Sequence, residues 1–249
     1  MFKIAINYSD KLKSVVEMLY SLTENVTMEI TSEGLEIKDL DDSHITYIYL
    51  KAPKKVFSNF TLKGDVERFG LDIEKFQDLI NLAQEDDQIV LEKDDNNPEL
   101  IISFENIDRR IFKLPSALLE LESPEMPVFD DEGYVKIKIP LKLFKNEIET
   151  LENASAGYSA KFIINKDKLI IETKPGADKT GGLVEYSHGE RVLKSVMSVY
   201  SLEKLSKILK AEASEIISLE MDDEMPVRIK SELSNGGELV FLLAPRIED

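Results

Sequence analysis

The chain has 249 residues, 43% of them hydrophobic, and a formal net charge of −17 from 31 basic and 48 acidic side chains. It contains no cysteine, which excludes disulfides and thiolate chemistry. No apolar run reaches the roughly 18 residues of a membrane span, and residues 1–10 lack the regions of a signal peptide. We therefore expect an intracellular protein with no membrane partner. The acidity argues against a domain that grips nucleic acid tightly.

The chain opens with a predicted strand, helix and hairpin. Residues 1–6 (MFKIAI) alternate apolar and polar side chains, which is the period of a strand. The next apolar side chains follow the i, i+3, i+4 spacing of an amphipathic helix: Leu12, Val15, Val16, Leu19 and Tyr20. Residues 27–40 (TMEIT-SEG-LEIKDL) then predict two strands joined by a tight turn.

A second helix and three more strands complete the first half. Asp72 is a good N-cap, and helical spacing relates the apolar side chains that follow it: Ile73, Phe76, Leu79 and Ile80. Strands are predicted at 88–93, 99–105 and 109–114. Residues 115–133 then contain three prolines, six acids and no base, which predicts a connector on the surface with its apolar side chains against protein.

The second half repeats the plan of the first. Residues 134–139 (YVKIKI) predict a strand, and Pro140 is well placed to begin a helix with Leu141, Phe144, Ile148 and Leu151 on its apolar face. The matching later elements are a hairpin at 161–173, a helix capped by Ser201 with Leu202, Leu205, Ile208 and Leu209 inside, and strands at 215–221, 226–233 and 238–243.

This repetition predicts two similar domains, each built of two strand-helix-strand units. Few helices among many hairpins favour an α+β fold with antiparallel sheets. We predict an N-terminal domain at 1–114, the connector at 115–133 and a C-terminal domain at 134–249.

Four acidic clusters raise the alternative of a metal-dependent hydrolase, because carboxylates bind divalent cations. They are DDSH (41–44), EDD (85–87), DDEG (130–133) and MDDE (221–224). They fall at predicted turns, where Asp is common, and His44 and His188 share no ligand spacing. Neither a G-x-x-x-x-G-K-[ST] loop nor a G-x-G-x-x-G motif is present. We therefore predict no catalytic residue, no metal site and no cofactor.

Four stretches carry a resemblance to a known family: MFKI (1–4), LDDSHITYIYL (40–50), MDDEMPVRI (221–229) and LAPRIED (243–249). With the two-copy plan and the acidic connector, the whole chain resembles the proliferating cell nuclear antigen family, the archaeal and eukaryotic DNA sliding clamps. The resemblance implies the DNA clamp fold. In that fold three subunits close head to tail into a ring around duplex DNA, with helices lining the hole and sheets forming the outer wall.

The resemblance implies a DNA polymerase processivity factor that has no catalytic activity and tethers replication and repair enzymes to DNA. The expected partners are duplex DNA, a clamp loader, and a DNA polymerase, flap endonuclease and ligase that bind through short clamp-binding motifs. A ring holds DNA by topology, so weak, sequence-independent contacts suffice despite the acidity. The implied location is the cytoplasm or nucleoid of an archaeon, or the nucleus of a eukaryote. One alternative is a specialised subunit of a heterotrimeric clamp.

The resemblance also implies three functional surfaces. The DNA-facing side chains would be Lys11, Lys13, Lys75, Lys142, Lys145, Lys204, Lys207 and Lys210. The partner-peptide pocket would be formed by Leu40, His44, Ile45, Met126, Pro127, Pro226, Ala244, Pro245, Arg246 and Ile247. The subunit interface would pair Arg109, Arg110, Ile111, Phe112 and Lys113 with Leu183, Val184, Glu185 and Tyr186. The second and third helices carry more acid than the family usually shows, which leaves the lining of the hole uneven.

Overall fold

The computed structural model describes residues 1–7, 9–94, 98–116, 124–125, 133–155, 158–175 and 180–247. Most of the predicted connector, with Met126 and Pro127, lies outside the described residues. The chain divides into two compact units. The first unit comprises Met1–Asp42, Ile48–Met126 and Glu232–Leu239, and the second comprises Ser43–Tyr47, Pro127–Ser231 and Val240–Asp249.

Strands outnumber helices along the described chain. The elements up to residue 115 are β1 (Phe2–Ile6), α1 (Ser9–Leu22), β2 (Asn25–Thr31), β3 (Gly34–Leu40), β4 (Thr46–Pro53), β5 (Asn59–Leu62), β6 (Val66–Asp72), α2 (Ile73–Ile80), β7 (Gln88–Lys93), β8 (Glu99–Glu105) and β9 (Arg109–Pro115). Those that follow are β10 (Val135–Pro140), α3 (Leu141–Ala154), β11 (Ser159–Ile164), β12 (Lys168–Glu172), β13 (Leu183–Ser187), β14 (Val196–Ser201), α4 (Leu202–Ile208), β15 (Ile216–Met221), β16 (Val227–Glu232) and β17 (Glu238–Leu243). Of the helices described, none is long and apolar enough to cross a membrane.

The strand order confirms the predicted repeat and the α+β class. One sheet has the order β5-β1-β7-β8-β9, and β10-β15-β16-β17 run in the corresponding order. Likewise β4-β3-β2-β6 correspond to β13-β12-β11-β14. Neighbouring strands pair antiparallel, as in β1 with β7 and β10 with β15. Each half therefore contains two strand-helix-strand units, β1-α1-β2 with β6-α2-β7 and β10-α3-β11 with β14-α4-β15.

The helices bury the faces that their apolar spacing predicts, with one exception. Phe144 and Ile148 of α3 have no exposed surface, and Ile73 and Ile80 of α2 are equally buried. Helix α1 packs on α2, and α3 packs on α4. The assignment of Tyr20 to the apolar face of α1 was wrong, because its side chain is exposed. The buried side chains of α1 are Val15, Val16, Met18, Leu19 and Leu22, so the buried face includes Met18 and Leu22 in place of Tyr20.

Side-chain caps and one glycine set the ends of elements. The Asp72 carboxylate accepts the Lys75 amide at 3.1 Å, and the Ser201 hydroxyl accepts the Lys204 amide at 3.4 Å, which confirms both predicted N-caps. Gly34 begins β3 with a φ of +147°, and a Cβ there would lie 2.2 Å from the Ala52 carbonyl oxygen. The turn between β2 and β3 therefore requires glycine.

The structure adds strands that period-2 alternation did not predict. Strand β4 buries three consecutive side chains, Thr46, Tyr47 and Ile48, so its pattern is not alternating. Strand β5 has only four residues. Alternation of apolar and polar side chains predicts a strand only when one face is polar and the pattern repeats several times. Strand β4 lacks the polar face at its start, and β5 is too short for the repeat.

A buried carboxylate joins three strands of the second unit. Glu220 in β15 is 2% exposed and bonds Arg228 of β16, which is 7% exposed. Its other oxygen lies 3.0 Å from the ammonium nitrogen of Lys136 in β10 and accepts the Ser218 hydroxyl at 3.1 Å. Burial raises the Glu220 pKa, but the hydrogen bonds from Lys136 and Arg228 outweigh it, so the pKa lies below the ordinary value of 4.5.

We predict that this carboxylate makes stability sensitive to acid. Because the folded pKa lies below the unfolded one, the stabilisation is present above about pH 4.5 and is lost as pH falls through the folded pKa. Glu220→Gln should lower the free energy of unfolding by about 3 kcal/mol at neutral pH, because it leaves Arg228 buried with a neutral partner. The difference in the free energy of unfolding between wild type and variant should become smaller as pH falls below 4.5.

Urea unfolding at fixed protein concentration, at neutral pH and at acid pH, measures this difference. The control is Glu105→Gln, which removes the exposed partner of Arg109 and should change stability by less than about 1 kcal/mol. A gap that stays constant with pH would show that Glu220 is not the titrating group.

Candidate functional site

The lysines expected to face DNA are largely paired with nearby acceptors. Lys75 lies 2.5 Å from Asp72, and Lys145 lies 2.9 Å from Glu212. Lys207 lies 2.7 Å from Glu203. Lys13 donates to the Ala83 carbonyl at 2.6 Å, while Lys11 and Lys142 are exposed and Lys204 and Lys210 are half-buried.

These pairings limit the positive charge that the helices present. Hydrogen bonds from the paired lysines lower the pKa values of Asp72, Glu203 and Glu212, so these carboxylates stay ionised at neutral pH. Within the bounds of α1 to α4 the sequence has seven lysines and eight acids. The helix surface is therefore close to neutral in a chain whose formal charge is −17.

The two strands expected at the subunit interface are both sheet edges. Strand β9 is the last strand of the order β5-β1-β7-β8-β9, and β13 is the first of β13-β12-β11-β14. Along β9 the exposed Arg109, Ile111 and Lys113 alternate with the half-buried Arg110 and Phe112. Along β13 the exposed Leu183 and Glu185 alternate with the half-buried Val184 and Tyr186. Ile111 is 53% exposed and Leu183 60% exposed, although both are aliphatic.

Arg110 is held within its own unit. Its guanidinium bonds the carboxylate of Asp87, which is buried, and the Leu82 carbonyl at 3.1 Å. It also lies over the Phe104 ring, 5.4 Å from the centroid. The Arg110 side chain therefore fixes β9 to the end of α2 and the loop after it, and an acid from another chain would have to compete with Asp87.

An apolar cavity of about 170 Å³ lies beside β13 in the second unit. Its apolar walls come from β10, α3, β12 and β13: Ile139, Leu143, Phe144, Leu169, Ile171, Val184 and Tyr186. Glu147, Glu185 and Ser187 form its polar part. The edge strand thus adjoins an apolar recess that can receive a side chain.

Hydrogen bonds link three segments of the second unit to one another or to β14: the segments at Ile45, at Met225 and at Ala244–Arg246. The Ala244 amide donates to the Ile45 carbonyl at 2.9 Å, and the Arg246 amide donates to the Val199 carbonyl at 2.8 Å. The Tyr200 hydroxyl donates to the Met225 carbonyl at 2.7 Å, just before Pro226. These bonds link the segments that carry the predicted pocket residues of this unit. We name the surface of those residues the partner-peptide groove, and its members are His44, Ile45, Pro226, Ala244, Pro245, Arg246 and Ile247.

Most of these residues keep part of their surface accessible to solvent. Ile45, Pro226, Ala244 and Pro245 are half-buried, and Ile247 is almost fully exposed. His44 has a φ of +58°, in the left-handed region, which agrees with its expected place in a turn. Leu40 is half-buried at the end of β3 in the first unit.

Two exposed methionines lie in the segments that these bonds join, and apolar spacing in the sequence did not single them out. Met197 in β14 is 44% exposed, and Met225 is 43% exposed. The Glu224 amide approaches the Met197 carbonyl at 3.4 Å, which joins the two segments. In β14 the buried Val196 and Tyr200 alternate with outward Met197, so reading VMSVYS as a strand would have identified it.

The acidic clusters do not assemble a metal centre where they are described. Among the described residues, no three His, Cys, Asp or Glu side chains are placed to hold a metal ion. Asp222 instead lies 2.6 Å from the Lys194 ammonium, and Asp223 accepts the Met197 amide at 2.7 Å. The hydrogen bond from Lys194 lowers the Asp222 pKa. DDEG (130–133) lies mostly outside the described residues.

Comparisons of the sequence with known proteins point to one family. A family model for the N-terminal domain of proliferating cell nuclear antigen matches residues 1–123. A DNA polymerase sliding clamp from Methanothermobacter thermautotrophicus is 32% identical over 250 residues, covering 100% of this chain and 99% of the relative.

Solved structures share the fold along the full length. A PCNA2-PCNA3 complex from Sulfolobus tokodaii matches with a TM-score of 0.88 and 24% identity, covering 99% of this chain and 100% of that one. PCNA from Thermococcus kodakaraensis matches with a TM-score of 0.89 and 20% identity at the same coverage. The chain therefore belongs to the proliferating cell nuclear antigen family of DNA polymerase sliding clamps.

Proposed function

We propose that this sliding clamp works as a homotrimeric, non-catalytic ring that encircles duplex DNA and holds DNA polymerase and other replication and repair enzymes on it. The observation that carries the proposal is the full-length similarity to a DNA polymerase sliding clamp, combined with two complementary sheet edges on one chain. Its partners are a clamp loader, DNA polymerase, flap endonuclease and ligase. They bind through short motifs at the groove around Ile45 and Pro245.

The edges support head-to-tail assembly. An edge strand presents unpaired backbone donors and acceptors, which another chain can pair. Strand β9 lies in the first unit and β13 in the second, so pairing β9 of one subunit with β13 of the next is heterologous and can close a ring. In this arrangement Ile111 and Phe112 would supply apolar side chains, and the recess beside Val184 and Tyr186 would receive one of them.

We predict that a charge on either edge produces monomers. Ile111→Asp and Leu183→Lys should each abolish the trimer, because each puts a like charge against the opposite edge. The new carboxylate meets the acidic Glu185 of β13, and the new ammonium meets the basic Arg109 and Lys113 of β9. Arg110 is left unchanged because its loss would strand the buried Asp87. Light scattering coupled to size exclusion gives the mass.

Mixing the two variants tests the head-to-tail arrangement. Each retains the edge that the other lacks, so the mixture should form a dimer of one chain of each kind and no ring. The control Leu193→Asp changes a side chain that is 86% exposed outside both edges and should remain trimeric. A mixture that stays monomeric would contradict β9–β13 pairing.

The near-neutral helix surface supports weak contacts with DNA. Each phosphate that a protein neutralises adds salt-dependent affinity, and many such contacts would slow sliding. With Lys75, Lys145 and Lys207 paired to carboxylates, the exposed Lys11 and Lys142 are the best placed to reach phosphates.

We predict that Lys11→Ala with Lys142→Ala weakens binding of the trimer to a short duplex by about three- to tenfold at low salt. The slope of log K against log salt should also become shallower, by about 0.9 for each phosphate that the protein no longer neutralises. Fluorescence anisotropy measures both quantities. The control is Lys63→Ala with Lys166→Ala, which removes the same charge from exposed positions outside the helices. Equal effects of the two pairs would contradict the assignment of the helices to the DNA side.

The groove supports partner docking. Apolar side chains that a folded chain leaves half-exposed in a concave surface commonly receive the anchors of a partner. The acidic charge of the chain favours peptides with Lys or Arg beside the anchors, and their association rate should fall as salt rises.

We predict that Ile45→Ala with Pro245→Ala weakens a short glutamine- and aromatic-containing clamp-binding peptide by about tenfold or more, because each aromatic anchor is commonly worth about 2 kcal/mol. Calorimetry gives the affinity, and solution mass shows whether the trimer is intact. The control Ile216→Ala truncates an exposed isoleucine of β15 outside the groove. Unchanged affinity in an intact double variant would remove the groove as the docking site.

A specialised subunit of a heterotrimeric ring is the second candidate, and a complex of two different clamp chains is among the structures that share this fold. The mass of the wild-type chain alone separates the two. A trimer supports the homomeric ring, and a monomer supports the specialised subunit.

A further inference from the structure

The loop from Asp222 to Pro226 joins β15 to β16 and is held by two tyrosine hydroxyls. Tyr200 donates to the Met225 carbonyl at 2.7 Å, and Tyr134 donates to the Pro226 carbonyl at 3.0 Å. The two donors come from separate places in the second unit, β14 and the residue before β10. Two successive carbonyls are therefore fixed from two sides.

The loop contains a conformation that needs such support. Glu224 has a φ of +54°, which is uncommon for a residue with a Cβ. Such a residue persists only where its surroundings hold it. The Asp223 carboxylate accepts the Met197 amide at 2.7 Å, and the Asp222 carboxylate accepts the Asp223 amide at 2.9 Å. The strained residue thus lies between polar contacts on one side and the tyrosine bonds on the other.

Both tyrosines are fixed by their own surroundings. Tyr200 is fully buried, and its ring meets Phe162 edge-on with centroids 5.5 Å apart. Burial raises the Tyr200 pKa, so its hydroxyl remains a donor across the physiological range. The Tyr134 ring lies 5.5 Å from the Arg228 guanidinium, which is bonded to the buried Glu220.

We propose that Tyr134 and Tyr200 are positioning residues for the partner-peptide groove. They hold the Met225–Pro226 segment, which we call the floor of the groove, in the conformation that receives an apolar anchor. The inference rests on the proposed docking of partners at Ile45, Pro226 and Pro245. A floor that is already ordered binds without the loss of entropy that ordering it would require. If the hydroxyls are removed, the loop populates other conformations, and the affinity falls by the fraction that remains competent.

The test uses the full trimer and a synthetic clamp-binding peptide with a glutamine and an aromatic anchor. Tyr134→Phe and Tyr200→Phe should each lower the affinity for the peptide by about three- to tenfold, which corresponds to the net free energy of one hydrogen bond. The control Tyr158→Phe removes the hydroxyl of a largely exposed tyrosine in the same unit and should leave affinity unchanged.

Two further readouts separate positioning from general stability. Amide hydrogen exchange at Asp223, Glu224 and Met225 in the free trimer should become faster in the Phe variants, while the exchange of β11 and β12 stays as in wild type. The same variants are also tested with a peptide whose aromatic anchor is replaced by alanine. Each Phe substitution should then lower the affinity by less than about twofold, because this peptide has no anchor for the floor to receive. A residue that only stabilises the fold would change neither quantity selectively.

The outcomes are distinguishable. A wild-type trimer that does not bind the peptide would overturn the proposed groove, and this inference with it. A wild-type trimer that binds, with both Phe variants equally tight and loop exchange unchanged, would overturn the inference alone. If Tyr200→Phe fails to fold, the half-buried Tyr134 still decides the result, since its hydroxyl bond can be removed separately.

Discussion

The burial of one apolar face from each helix is the constraint on which the rest of this clamp depends. Phe76 and Ile80 of α2 and Phe144 and Ile148 of α3 have almost no exposed surface, and each square ångström of apolar burial contributes about 25 cal/mol. These faces cannot turn outward without losing that contribution. The charged side chains of α1 to α4 are consequently confined to the opposite face, where lysines and carboxylates nearly balance.

That balance suits a protein that surrounds its nucleic acid rather than grips it. Lys75, Lys145 and Lys207 each share their charge with a nearby carboxylate, so on the proposed DNA-facing surface a phosphate would have to displace an existing partner. Screening by salt weakens such exposed pairs. Contacts with DNA would then be made and broken at little net free energy, which agrees with a clamp that has to slide.

The sheet edge at β9 and the loop ending at Pro226 each lie next to an ion pair whose carboxylate is buried. Strand β9 keeps unpaired backbone groups at a sheet edge while the Asp87–Arg110 pair anchors it from inside. In the second unit the Glu220–Arg228 pair joins the two strands that the loop ending at Pro226 connects. In both places an arginine bound to a buried carboxylate holds a surface element, since removing the arginine would leave an unpaired buried charge.

The sequence alone determined the repeat, most of the elements and the family. Those signals are local, as when Asp72 caps α2 through the amide three residues later, or when Phe144 and Ile148 fall on one helix face. Only the tertiary structure decided which groups meet. In the folded chain Tyr20 is exposed, Arg110 bonds Asp87, and the Tyr200 hydroxyl donates to the Met225 carbonyl. The physical reason is that hydrogen bonds and ion pairs between residues far apart in the chain depend on how sheets and loops pack, and spacing along one segment does not encode that packing.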